Sequence, residues 1–173
     1  MTRRPSLMIL ALGLAASAFG QPPASVNKKD AQGRKQGPWE KPWADSQQLR
    51  YKGQFKDDKP VGIFTYYSTA GKVESTVAHY TSGGASHAKH FHPDGKLMAE
   101  GRYVGEQKDS IWNYYDATGA LRSTERWKNG KFSGDQEAFF ANGQVAERCT
   151  WKEGKRNGPC QQFFDNGQVR TST

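Results

Sequence analysis

Five glycines, Gly71, Gly95, Gly119, Gly143 and Gly167, stand 24 residues apart, and most of the chain repeats in step with them. Two residues after each comes an aliphatic side chain (Val73, Leu97, Leu121, Val145, Val169), and four residues before each an aromatic one (Tyr67, Phe91, Tyr115, Phe139, Phe163). One period upstream Gln47 takes the place of the glycine, while Trp43 and Leu49 keep the aromatic and aliphatic places, so six copies are present. A fixed period of this length is the mark of a repeat architecture, in which each unit buries its apolar surface mainly against its neighbours.

Each copy reads as two short strands and two turns. Asp94-Gly95, Asn142-Gly143 and Asn166-Gly167 suit the positive φ of tight hairpin turns, whereas Lys128-Asn129-Gly130-Lys131 and Lys152-Glu153-Gly154-Lys155 read as longer polar loops. Stretches such as Ile111-Trp112-Asn113-Tyr114-Tyr115 are short and rich in aromatics, which favours strands. The expected fold is all-β: an elongated, twisted antiparallel meander of about six 24-residue hairpin repeats, roughly a dozen strands, each paired with the one before it.

The pattern also sets a hairpin register. If Cys149 faces Cys160, the same register puts Gly101 opposite Trp112 and Gly53 opposite Phe64, since each pair moves by 48 residues. An aromatic ring facing a glycine covers an otherwise bare strand position. A Cys149–Cys160 disulfide follows, because facing strand positions bring Cβ atoms within bonding reach.

Residues 1–20 read as a signal peptide: Arg3 and Arg4 open it, an apolar run from Leu7 to Gly20 is short for a membrane span, and Ala18-Phe19-Gly20 fits cleavage before Gln21, with cleavage after Ala18 the rival. Removing this segment takes the formal net charge from +8 to +6, since it carries two arginines and no acid. Residues 21–36 read as a flexible lead-in and residues 37–173 as the repeat domain. A periplasmic or secreted protein with two cysteines is expected to oxidise them. The remaining basic residues look scattered along the sequence, which argues against nucleic acid as a partner.

At Tyr51-Lys52-Gly53-Gln54-Phe55 the chain shows the Tyr-x-Gly-x-aromatic core of a MORN repeat, and Glu125 to Lys131 and Phe139 to Val145 resemble the MORN-variant repeats of bacterial proteins. The resemblance implies an elongated sheet of consecutive hairpins serving as an interaction or scaffolding module. Several bacterial members are labelled antitoxins, which for an exported chain implies an immunity-like role. The third copy departs from the pattern: Tyr80 is one place out of step with Phe55 and Tyr103.

The recurrent stripe Trp43, Tyr67, Phe91, Tyr115, Phe139 and Phe163 is expected to be structural. Phe64, Tyr66, Trp112 and Tyr114 break the repeat and point to the other face. They are candidates for an exposed interaction surface, or else rings that cover glycines. All four histidines, His79, His87, His90 and His92, fall in the third copy. His90 and His92 share a strand face, but two ligands are too few for a tight zinc site, so no metal is expected; a pH-responsive contact is the other use of such a cluster. The chain has no Gly-rich phosphate loop, His-Glu-x-x-His pattern or nucleophile elbow. The expectation is therefore a non-enzymatic exported module without cofactor, taking a protein partner or, alternatively, an envelope polymer or anionic lipid surface.

Overall fold

The computed structural model describes residues 25–79 and 84–173. The signal segment, the start of the lead-in and Tyr80 lie outside these residues. The strands are β1 (Lys28–Lys29), β2 (Lys35–Pro42), β3 (Leu49–Lys56), β4 (Lys59–Tyr67), β5 (Val73–His79), β6 (Ala85–Phe91), β7 (Leu97–Val104), β8 (Gln107–Tyr115), β9 (Leu121–Lys128), β10 (Lys131–Phe132), β11 (Gly134–Phe139), β12 (Val145–Lys152), β13 (Lys155–Phe163) and β14 (Val169–Ser172). They form one open antiparallel sheet in which order in space is order in sequence, except that the short β10 pairs off the path with β9. The thirteen strands in line, at ~4.8 Å each, span roughly 60 Å.

The two turn types are the reverse of the expectation. At the lattice glycines the chain makes a wider turn, repeated with one geometry: Gly95 N donates to His92 O at 2.8 Å and His92 N to Lys96 O at 2.8 Å, and the same pair of bonds recurs around Gly71, Gly119, Gly143 and Gly167. The glycine alone takes positive φ, 76° at Gly71 to 93° at Gly119, as in a type I turn followed by a left-handed residue. The two-residue turns lie instead in the polar loops, where Asn129 (φ 51°) and Gly130 (φ 73°) link the facing Lys128 and Lys131. The first copy shows why the glycine matters. Without one, Trp43 N closes on Gln48 O, and Pro42 rather than Trp43 faces Leu49. Leu49 keeps its place, and Trp43 slips by one.

The proposed register is present. Gly101 faces Trp112, and Cys149 faces Cys160 with their Cα atoms 4.2 Å apart in a disulfide. A Cβ built on Gly53 would lie 2.5 Å from Phe64 Cγ, so that ring lies flat on the bare strand. A second lattice, not recognised in the sequence, makes these contacts possible. Gly62, Ser110, Gly134 and Gly158, again at multiples of 24 residues, all have positive φ. In β8, Arg102 pairs with Asp109 and Gly101 with Trp112, so Ser110 and Ile111 are extra residues relative to β7. Such a bulge re-aims the next side chain. Here it swings Trp112 across Gly101, and its indole N–H donates to Arg102 O at 3.0 Å, beside the break in the ladder.

A one-layer sheet has no second layer to pack against, so its core is lateral. Phe64, Val77, Ala88, Gly101 and Trp112 run across the sheet as successive facing residues. Phe64 is 2 % exposed, Ala88 0 % and Trp112 1 %. Alternating large rings with Ala and Gly lets each ring lie over its neighbour, and residues of adjacent rows on the same face close the flanks. The described part of the lead-in joins the sheet. β1 pairs with β2, Arg34 binds Asp30 at 2.8 Å and Asp57 at 3.0 Å, and Gln36 donates to the same two carboxylates. Burial raises the Asp30 pKa, but hydrogen bonds from Gln36, Arg34 and Gln32 outweigh it and hold it at about 2.

Candidate functional site

The two faces differ in chemistry because successive strand residues alternate. On the core face the bulge of β8 and strand β9 build one constellation. Trp112, Tyr114 and Trp127 surround the Lys108 ammonium at 4.5, 5.2 and 4.9 Å from their ring centroids. Lys108 Nζ donates to Tyr114 Oη, which donates to Glu125 Oε2 at 2.6 Å; Trp127 Nε1 donates to the same oxygen at 2.9 Å, and Lys108 lies 3.8 Å from it. Burial, with the bond to Glu125 and its charge, raises the Tyr114 pKa far above the ordinary phenol value. The ammonium occupies a cation–π cage. One period on, Phe132 takes the equivalent place between Trp127 and Trp151, at 4.1 and 5.3 Å. Lys108 is therefore a charge set into an otherwise aromatic spine.

The four rings expected to form an interaction surface lie on this core face. Phe64 and Trp112 are buried against glycines, while Tyr66 and Tyr114 are half-buried beside them. Phe64 covers Gly53 and Trp112 covers Gly101, whereas Tyr66 and Tyr114 cover no glycine. Tyr66 packs at 6.3 Å on Phe64 and at 5.9 Å on Tyr51, and burial raises its pKa.

The recurrent stripe runs along the opposite face, beside the wide turns. Each ring faces an aliphatic partner: Tyr67 with Val73, Phe91 with Leu97, Tyr115 with Leu121, Phe139 with Val145 and Phe163 with Val169. Its contacts are polar residues of that face: Tyr115 Oη donates to Glu100 at 3.1 Å, and Lys52 and Arg148 each lie 5.9 Å from the rings of Tyr67 and Phe163. The rings are half-buried, and Val73 and Val169 are 39 % and 54 % exposed. Between two wide turns the stripe opens into a notch of about 580 Å³ lined by Lys72, Val73, Phe91, Pro93, Asp94 and Gly95.

The histidines take separate partners. His90 stacks on Trp112 at 5.9 Å, His79 meets Phe64 edge-on at 5.2 Å, His87 lies 3.5 Å from Glu100, and His92 Nε2 lies 3.1 Å from Tyr115 O. A register shift between His90 and Phe91 separates His90 from His92, so the shared strand face expected for them is broken. Glu147, Cys149 and Cys160 offer ligand atoms within 4.8 Å of one another, but the disulfide removes both thiolates. Burial lowers the pKa of His79 and of His90, the latter helped by the Lys108 charge. Both groups are thus held neutral, so their contribution to stability is complete above the ordinary value of 6.5 and is lost as pH falls through the lowered folded value. The melting temperature is expected to fall between pH 7.5 and pH 5 at constant ionic strength, a window above the ordinary carboxylate range. A His79→Phe variant should flatten that fall, and an unchanged slope would refute the assignment.

The family model described as "MORN repeat variant" matches residues 87–104 and 133–153. Each span covers a hairpin built around a wide turn, β6–β7 and β11–β12. These hairpins are MORN-variant repeats. The MORN-variant unit is thus strand, wide turn, strand, and the two-residue turns are the joints between units. Comparison with curated proteins returns no match. Solved structures similar to part of the chain include a mutant S. aureus TarM in complex with fondaparinux, alpha-GlcNAc-glycerol and UDP (12 % identity, TM-score 0.41, 55 % of this chain and 19 % of that one). TarM itself (11 %, 0.41, 60 % and 20 %) and a GtfA/B complex (8 %, 0.36, 51 % and 18 %) are also similar. The chain spans about a fifth of the length of these proteins. Among the described residues no helix is long and apolar enough to cross a membrane. The disulfide suggests a compartment other than the cytoplasm.

Proposed function

We propose that the chain is a non-enzymatic, exported binding module of MORN-variant repeats, and that it holds a protein partner along the recurrent aromatic stripe. The observation that carries this reading is the half-exposed row of aromatic–aliphatic pairs, repeated on every wide-turn hairpin and flanked by the charged row Lys52, Lys89, Glu100, Glu137 and Arg148. An apolar core with a charged rim is the usual anatomy of a protein contact. A partner that lies along the stripe meets one apolar pair about every 10 Å. The reactive side chains support a non-catalytic role, since the cysteines are joined and Lys108, Tyr114 and Glu125 satisfy one another. An immunity-like role, in which the partner is a toxic protein, is the sharpest version of this proposal.

Val73→Glu puts a charge into the notch at a position that is already exposed, so the fold should tolerate it. Affinity capture from the envelope fraction is expected to lose the partner seen with the native chain. Ile63→Ser, at a residue 65 % exposed and outside the stripe, should keep it. A folded Val73→Glu protein that captures the same partner equally well would sink the proposal.

A further inference from the structure

The rim formed by the two-residue turns carries a charge pattern that folding does not require. Lys128 faces Lys131, and Lys152 faces Lys155, directly across their hairpins. Like charges so placed destabilise a strand pair, and the fourth copy does without them, having Val104 opposite Gln107. These four lysines and Arg156 are exposed, and among the described residues none of the five forms an ion pair. The sequence made the basic residues look scattered. The register gathers them, because residues 24 apart land on one rim.

The turns abut, since Gly130 N donates to Lys108 O at 3.0 Å and Gly154 N to Phe132 O at 2.9 Å. Two open grooves of about 460 and 710 Å³ run along them and are continuous, for both are lined by Lys131, Lys152 and Glu153. Glu153 is the single carboxylate in either wall, against five cations. The other lining groups are the amides of Gln107, Asn129 and Asn157 and the hydroxyl of Ser133, with no apolar side chain among them.

We propose that this rim binds a linear anionic polysaccharide. The excess of unpaired cations calls for a polyanion, and their recurrence at one-hairpin steps, about 10 Å apart, fits a chain lying along the rim. The amides and the hydroxyl suit sugar hydroxyls. A bilayer would want apolar side chains to insert, and single-stranded nucleic acid would want rings to stack on; the grooves offer neither. The site stands independently of the stripe, which borders the opposite set of turns.

The test uses the full chain and a fluorescently labelled alginate oligomer as probe, followed by anisotropy at low salt. Binding should weaken as salt is raised, and Lys131→Gln together with Lys152→Gln should weaken it about tenfold. Lys56→Gln with Lys59→Gln removes the same kind of facing pair at the far end of the sheet and should leave binding unchanged. Without probe, the Lys131→Gln, Lys152→Gln protein should melt no lower than the native chain, because repulsion has been relieved. The proposal is overturned by salt-insensitive binding, by an equal loss in the Lys56, Lys59 variant, by a lowered melting temperature, or by tighter binding to phosphatidylglycerol vesicles or a single-stranded oligonucleotide than to alginate.

Discussion

Trp112→Ala is expected to lower the unfolding free energy by about 3–5 kcal/mol, the range for deleting a large buried ring. At 1 % exposure Trp112 is the largest fully buried side chain among the described residues. It covers Gly101, packs on Tyr103 at 4.9 Å and on His90 at 5.9 Å, and spends its N–H on Arg102 O. The glycine beneath it gives the sharper test. A Cβ added at Gly101 would fall inside the indole, so Gly101→Ala should cost about 1–3 kcal/mol in the native background. In the Trp112→Ala background it should cost almost nothing, since the obstructing ring is gone. Urea denaturation of the four proteins measures the coupling, expected at about 1 kcal/mol or more. Additive costs would mean that ring and glycine do not support each other.

The second large effect concerns Glu125. Its Oε2 accepts from Tyr114 and Trp127 and lies 3.8 Å from the caged ammonium, so Glu125→Ala leaves two donors unpaired and a cation uncompensated among three rings. Breaking a fully buried pair costs about 3–5 kcal/mol; Lys108 and Glu125 keep some solvent contact, which brings the expected loss to about 2–3 kcal/mol. Lys108→Met introduced on top should recover part of it, because the cage then holds a neutral chain of similar length, as the next copy does with Phe132. Glu125→Gln keeps an acceptor and should cost less than Glu125→Ala. A loss below about 1 kcal/mol for Glu125→Ala would show the cage to be only loosely populated.

The fold could be read from the chain because the 24-residue period and the side chains agreed on one register: two cysteines and two glycine–aromatic pairs shared a single offset. The turn types were harder, since both place glycine at positive φ. The distinguishing signal is the number of residues between ladder partners, five between Tyr67 and Val73 and two between Lys128 and Lys131. The bulge lattice went unseen because it is irregular: Ser110 holds φ 62° where Gly62, Gly134 and Gly158 stand in other copies, and Ser86, at the same place in the third copy, takes no positive φ and stays in the regular ladder. Strand alternation put Trp112 and Tyr115 on opposite faces but could not say which face closes. In a single layer that depends on rings lying sideways over Ala88 and Gly101, a matter of lateral packing that periodicity does not encode.

The strictly sequential strand order has a consequence for size. No strand depends on a distant one, so a 24-residue insertion adds two strands and about 10 Å of length, exchanging only the one pair it interrupts for three of the same kind. The molecule is in effect a ruler graduated in hairpins, and the number of copies in its gene sets the length of whatever it can span.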